Sequence, residues 1–178
     1  KKLSELAEKD PTIFFITADL GFGVFDDFAK RFPNQYLNVG VAEQNMVGIA
    51  SGLGLEGRKV FTYSIANFAT LRCLEQIRND AAYHEINLTI VASGGGFTYG
   101  GLGMSHHATE DISIMRSLPN MTIISPCDAV EMKSAMLSTI NWPHPIYIRL
   151  GKGGDPIITD ESQNFKIGES VIKKLPKD

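Results

Sequence analysis

Long apolar runs are missing from this chain. No stretch approaches the roughly 20 residues that a bilayer-spanning helix needs, and no signal-peptide pattern opens the sequence. A membrane role is therefore not expected. Cysteine is scarce too: Cys73 and Cys127 are the 2 present, too few for a disulfide framework and without metal-ligand spacing. A cytoplasmic location is expected. Neither sign of charge dominates, with 17 Lys and Arg against 20 Asp and Glu, net −3. With no long charge run, nucleic acid and anionic membrane are not expected partners. Catalytic signatures are absent as well. The chain has no G-x-S-x-G nucleophile elbow, no H-E-x-x-H or Cys-His cluster, and no G-x-x-x-x-G-K-[ST] phosphate loop. Its most glycine-rich segment, SGGGFTYGGLGMSHH (93–107), lacks a G-x-G-x-x-G that opens a helix, so a dinucleotide fingerprint is set aside.

What is present is an ordinary globular composition, 43% hydrophobic and 21% charged over 178 residues. That suits one domain with a sizeable core, or a domain plus a short appendage. The first residue is Lys1 rather than Met, so a trimmed piece of a longer protein is expected. Short runs rich in Ile, Val, Phe, Tyr and Thr at 12–17, 35–39, 59–64, 87–93, 121–125 and 145–150 predict buried strands. Helical periodicity falls between them, near 2–9, 24–32, 42–54, 66–82, 109–117 and 128–140. Asp128 and Glu131 have the spacing of a capping box. This alternation predicts an α/β fold, a doubly wound and mostly parallel sheet with helices on both faces. The polar tail from 157 holds FKIGESVI, which reads as one more strand.

In such a sheet, loops leaving the carboxyl ends of strands line the ligand crevice. Five do so here: ADLGFG (18–23), VGVAEQ (39–44), YSIANF (63–68), the glycine-rich segment 93–107, and GKGGDP (151–156). Glu43 stands out. On position alone it is a first-turn carboxylate favoured by the helix dipole. Its neighbours Val39, Val41, Ala42 and Met46 point instead to a dry setting, where a carboxylate needs a partner. For His106 and His107 two readings stand: one capping the next helix and one exposed, or a polar hand in the crevice. Lys152 is a solvated loop lysine or a cation placed for phosphate. Asp19 is a turn-former or a site carboxylate, and Phe68 could be ordinary core.

Taken together, FITADLGFG, NVGVAEQNMVGIASGLGLEGRKVFTYSIANF and GGLGMSHHATEDISIMRSLPNMTIISPCDAVE resemble the pyrimidine-binding domain of transketolase-type, thiamine-diphosphate-dependent enzymes. The likeness runs from about residue 2 to residue 153, and is nearest to separately encoded C-terminal transketolase subunits. It implies a pyrimidine-binding domain over 1–156 and, at 157–178, a linker toward a missing C-terminal domain. By the resemblance, Glu43 would bond N1′ of the cofactor's aminopyrimidine and drive its activation. Phe68 and Ile65 would flank that ring, and Asp19 would lie near the cofactor. His106 would contact the sugar, with a catalytic share, and Lys152 would take the place of a phosphate-binding arginine. Lysine keeps the charge but not the bidentate fork.

Departures accompany the likeness. Ile65 and Leu71 stand where the family has two further ring-flanking aromatics, which makes the clamp more aliphatic. Leu102 and Gly94 stand where it has an aspartate and a histidine at the donor end. The family's G-D-G…Asn magnesium motif is absent, so Mg²⁺ and the diphosphate are expected on a partner N-terminal subunit or domain, and no metal site here. The implied activity is ketol transfer between sugar phosphates by a homodimer that is inactive alone, paired through the helix at 42–54 with Gly48 and Gly52 at the contact. Alternatives are a 1-deoxyxylulose-5-phosphate synthase-like or 2-oxo acid decarboxylase beta-like component, and a non-catalytic scaffold of the same fold.

Overall fold

All six apolar runs become strands: β1 Ile13–Thr17, β2 Tyr36–Asn38, β3 Lys59–Ile65, β4 Leu88–Ser93, β5 Thr122–Ile124 and β6 Ile146–Leu150. The computed structural model describes residues 1–160, 162 and 165–170. The strands form one sheet in the order β2-β1-β3-β4-β6-β5, parallel at every pairing. The expected doubly wound α/β architecture is thus present, and the sheet is wholly parallel. β4, near its middle, is buried along its whole length, as a strand covered on both faces must be.

Alternation along the strands sorts the core into two layers. Phe15, Phe61, Val91, Ile146 and Ile148 face α1 (Lys2–Ala7), α2 (Asp26–Arg31) and α7 (Ala129–Thr139). Ile16, Val60, Ile90 and Tyr147 face α3 (Glu43–Leu55), α4 (Ala66–Thr70), α5 (Leu74–Gln76) with its continuation, and α6 (Asp111–Arg116). Several of these helices are six residues or fewer, too short to persist alone in water. Packing holds them: each fully buried Phe, Ile or Met contributes about 1.5–3 kcal/mol.

Two predicted helices differ from expectation. The run at 66–82 is broken at 71–73, where the Cys73 N–H reaches only three residues back to Thr70 O. Beyond Gln76 it widens, and the Tyr83 N–H donates to Arg78 O, five residues back. At α7, Asp128 caps as predicted, its Oδ1 accepting from the N–H groups of Val130 and Glu131. Glu131 reaches the N–H of Cys127 instead of that of Asp128, so the box closes one residue early. The other Asp128 oxygen accepts the N–H groups of Ile158 and Thr159, 2.8 and 2.7 Å away. The predicted tail strand is not seen at 165–170, where Phe165 and Ile167 pack on the β5–α7 side; its remainder lies outside the described residues. No helix among the described residues is long and apolar enough to cross a membrane.

The connections decide where a ligand can sit. From β1 the chain passes outward to β2, whereas from β3 it passes toward β4. The loops therefore diverge above the carboxyl ends of β1 and β3, and that divergence opens a crevice.

Candidate active site

Glu43 begins α3 just past the end of β2, and the turn before it is tightly bonded. Gly40 has φ +73°, and the Ala42 N–H donates to Gly40 O at 2.7 Å. Asn38 anchors this bend: its Oδ1 accepts from the N–H groups of Gly40 and Asp19, at 3.0 and 2.9 Å. Asn38 Nδ2 donates to Asp19 Oδ1 in return. Asp19 has φ +55°, a left-handed conformation that Asp tolerates better than most residues. Asp19 thus ties the β1 loop to the turn that launches Glu43. No described hydrogen bond or ring contact joins it to the residues around the Glu43 carboxylate.

That carboxylate is 1% exposed. A charge so deep costs several kcal/mol unless paired, and it is paired by a residue the sequence did not single out. Arg72 Nη1 donates to Glu43 Oε2 at 2.7 Å, while Ser64 Oγ lies 3.4 Å from Oε1. The Arg72 guanidinium carbon lies over the Phe68 ring, 4.5 Å from its centroid. His106 makes an edge contact with the same Phe68 ring at 5.1 Å. Glu43, Arg72, Phe68 and His106 therefore form one continuous chain of contacts. Beside it, burial and then the nearby Glu43 charge push the Cys73 thiol up to about 12, so Cys73 is inert packing.

The glycine-rich loop is tied to α4 beside this cluster. Asn67 Nδ2 donates to Ser105 O at 2.6 Å, and Ser105 Oγ meets His106 Nδ1 at 2.9 Å. His107 turns the other way, its Nε2 on Gly100 O at 2.9 Å. Neither histidine caps α6. Tyr99, also unforeseen, joins the parts. Its hydroxyl meets Ser93 Oγ at 3.0 Å, its ring lies 5.9 Å from that of His106, and the Lys152 ammonium sits 5.5 Å from its centroid. Its ring also covers Gly94, where a Cβ would come within 1.9 Å of it. Lys152 itself is exposed. It lines a cleft of about 400 Å³ with Tyr63, Ser93, Leu150 and Asp128.

Ile65, half-buried, ends β3 directly before α4. Leu71 and Leu102 stand on the rim, 42% and 58% exposed. Beneath the loop, Arg149 Nε donates to Asp111 Oδ2 at 2.8 Å and Arg149 Nη2 to Ala108 O at 3.1 Å. Among the described residues, no three His, Cys, Asp or Glu side chains converge as metal ligands. The arrangement can bind a planar N–H donor between Glu43 and Phe68, and offers an imidazole and an ammonium further out for hydroxyls and an anion.

Residues 1–154 match the sequence profile of the family described as Transketolase, pyrimidine binding domain. The chain belongs to that family. It is 38% identical to an apulose-4-phosphate transketolase subunit of Phocaeicola vulgatus, over 94% of this chain and 54% of that protein. It is 41% identical to a putative transketolase C-terminal section of Methanocaldococcus jannaschii, over 96% and 55%. Among solved structures, one described as a split gene transketolase, inactive beta4 tetramer, superposes with TM-score 0.86 at 37% identity, covering 97% of this chain and 56% of that one. This pyrimidine-binding domain thus spans about half the length of the curated relatives it matches.

Proposed function

We propose that this chain supplies the pyrimidine-binding half of a transketolase-type transferase that moves a two-carbon ketol unit between sugar phosphates. The family implies thiamine diphosphate, and the residues present fit its aminopyrimidine. The slot between Glu43 and Phe68 already accepts the guanidinium of Arg72, a planar N–H donor. That occupied slot is the observation that carries the reading.

When bound, the cofactor supplies the electron sink for breaking and forming the carbon–carbon bond beside the ketose carbonyl. Glu43 accepts a hydrogen bond from a ring N–H and holds that proton in a site with little water, where the interaction is strongest. Phe68 sets the plane of the ring. Ile65 lines its edge, and Asp19 holds the turn that aims Glu43. His106 donates to sugar oxygens, and Lys152 attracts the phosphate. Mg²⁺ and the diphosphate are assigned to a partner N-terminal subunit or domain. Relatives named as one subunit, and as the C-terminal section, of a transketolase support that division. The open strip above Gly48 and Gly52 on α3 supports pairing of two copies. Two unpaired cysteines support a cytoplasmic setting.

The sugar is proposed to differ from ordinary pentose phosphates. Leu102 makes the donor end more apolar, and relatives at 38% and 36% identity are named for apulose 4-phosphate and 6-deoxy-6-sulfo-D-fructose. A second reading is a 1-deoxyxylulose-5-phosphate synthase-like component. It is favoured by 36% identity, over 98% of this chain, to such an enzyme of Lawsonia intracellularis. Pyruvate consumption separates the two. To test the main reading, ketol transfer is assayed with the diphosphate-binding subunit, for the wild-type chain and for Glu43→Ala. A loss of about a hundredfold or more is expected; a variant that keeps most of its activity would sink the role of Glu43.

A further inference from the structure

Arg72 sits at the one break in the helical run between Ala66 and Ala82. Its guanidinium makes both contacts that define the slot: a 2.7 Å hydrogen bond to the buried carboxylate of Glu43 and a place over the Phe68 ring. A flat heterocycle whose N–H bonds Glu43 Oε2 while its ring stacks on this face of Phe68 takes the place that the guanidinium now holds. Glu43 Oε2 and the near face of Phe68 cannot serve both groups at once. The arginine is 44% exposed, so its long side chain has solvent to move into, whereas the 1% exposed carboxylate does not.

We propose that Arg72 is the slot's internal occupant: it satisfies the Glu43 charge while the slot is free, and the incoming aminopyrimidine must displace it. This rests on the functional reading above. The pair keeps a buried carboxylate from standing alone, which would otherwise penalise folding. It also lowers cofactor affinity, because ligand binds only to the fraction of molecules whose arginine has swung out. Arg72 is thus a residue that tunes cofactor binding through Glu43.

The test is equilibrium binding of Mg²⁺-thiamine diphosphate, followed by calorimetry, to the chain assembled with its diphosphate-binding subunit. Arg72→Gln removes the charge and weakens the competitor, and is expected to tighten binding roughly three- to tenfold. Arg72→Lys keeps the charge but loses the planar group over Phe68, and is expected to fall between. Melting temperatures supply a second readout. A residue with a purely structural role would lower the melting temperature of free and loaded protein alike. An internal occupant lowers only that of the free protein, so the shift produced by cofactor grows in Arg72→Gln. Unchanged or weaker binding in both variants, or a cofactor-induced shift no larger than in wild type, overturns the proposal. Failure of the wild-type assembly to bind cofactor at all overturns the functional reading and this inference with it.

Discussion

Arg149 Nε lies 2.8 Å from Asp111 Oδ2, an ion pair that pins the start of α6 to the end of β6 beneath the glycine-rich loop. Asp111 is 1% exposed and takes a second hydrogen bond from the Tyr147 hydroxyl at 2.7 Å. Arg149 also crowds Gly95, where a Cβ would meet its side chain at 2.5 Å. The pair is therefore the floor on which the loop bearing Tyr99 and His106 rests.

Removing one partner strands the other. Asp111→Ala is expected to destabilise the protein by about 3 kcal/mol, because Arg149 and the Tyr147 hydroxyl lose their shared acceptor. Urea unfolding measures it, and a loss under about 1 kcal/mol would show that the pair holds little.

Gly94 answers to Tyr99. With φ +87° and a would-be Cβ within 1.9 Å of the ring, Gly94→Ala has to strain the backbone and expel Tyr99 together. We expect a cost of about 1–3 kcal/mol. In a Tyr99→Ala background the steric share should vanish and only the backbone share remain, so the double-mutant cycle returns a clear coupling energy. Strict additivity would contradict the described packing.

Acid stability should report on Asp10. The hydrogen bond from Lys59, followed by that from Thr12, lowers its carboxyl from 3.8 to about 2. A folded-state value below the unfolded one stabilises above about pH 4 and loses that contribution as pH falls through about 2. The stability gap between wild type and Asp10→Asn should therefore be widest near pH 6 and shrink by roughly pH 2.5. A gap that is the same at both ends would disprove the assignment.

On α3, Gly48 and Gly52 have nothing within 4 Å of a would-be Cβ, and Val41 and Leu55 are 75% and 60% exposed at the helix ends. If two copies pair across this face, Gly52→Glu should give a monomer in sedimentation at micromolar concentration. The substitution itself favours the helix by up to about 1 kcal/mol, so unfolding does not account for lost association. A wild-type chain that sediments as a monomer rules the pairing out.

Much of this was legible in the sequence, for identifiable reasons. β1 through β6 announced themselves because buried parallel strands are short, β-branched and bounded by turns. Glu43 was conspicuous because a carboxylate among Val41, Ala42 and Met46 needs an explanation. Its partner was not. Arg72 lies in a run with no glycine or proline to signal a break, and its partner is 29 positions earlier in the chain. The available clue was spacing: Arg72 is one helical turn after Phe68, so the two share a face. Tyr99 was hidden for a related reason, since an aromatic between glycines reads as loop until its ring is seen covering Gly94.

The carboxylate of Asp128 carries a further consequence. One oxygen holds the first turn of α7 and the other grips the backbone at Ile158 and Thr159. The segment after β6 is thereby moored to a helix end. With Ser138 Oγ donating to Phe165 O and Ile167 packed nearby, the stretch is laced along α7 at more than one point.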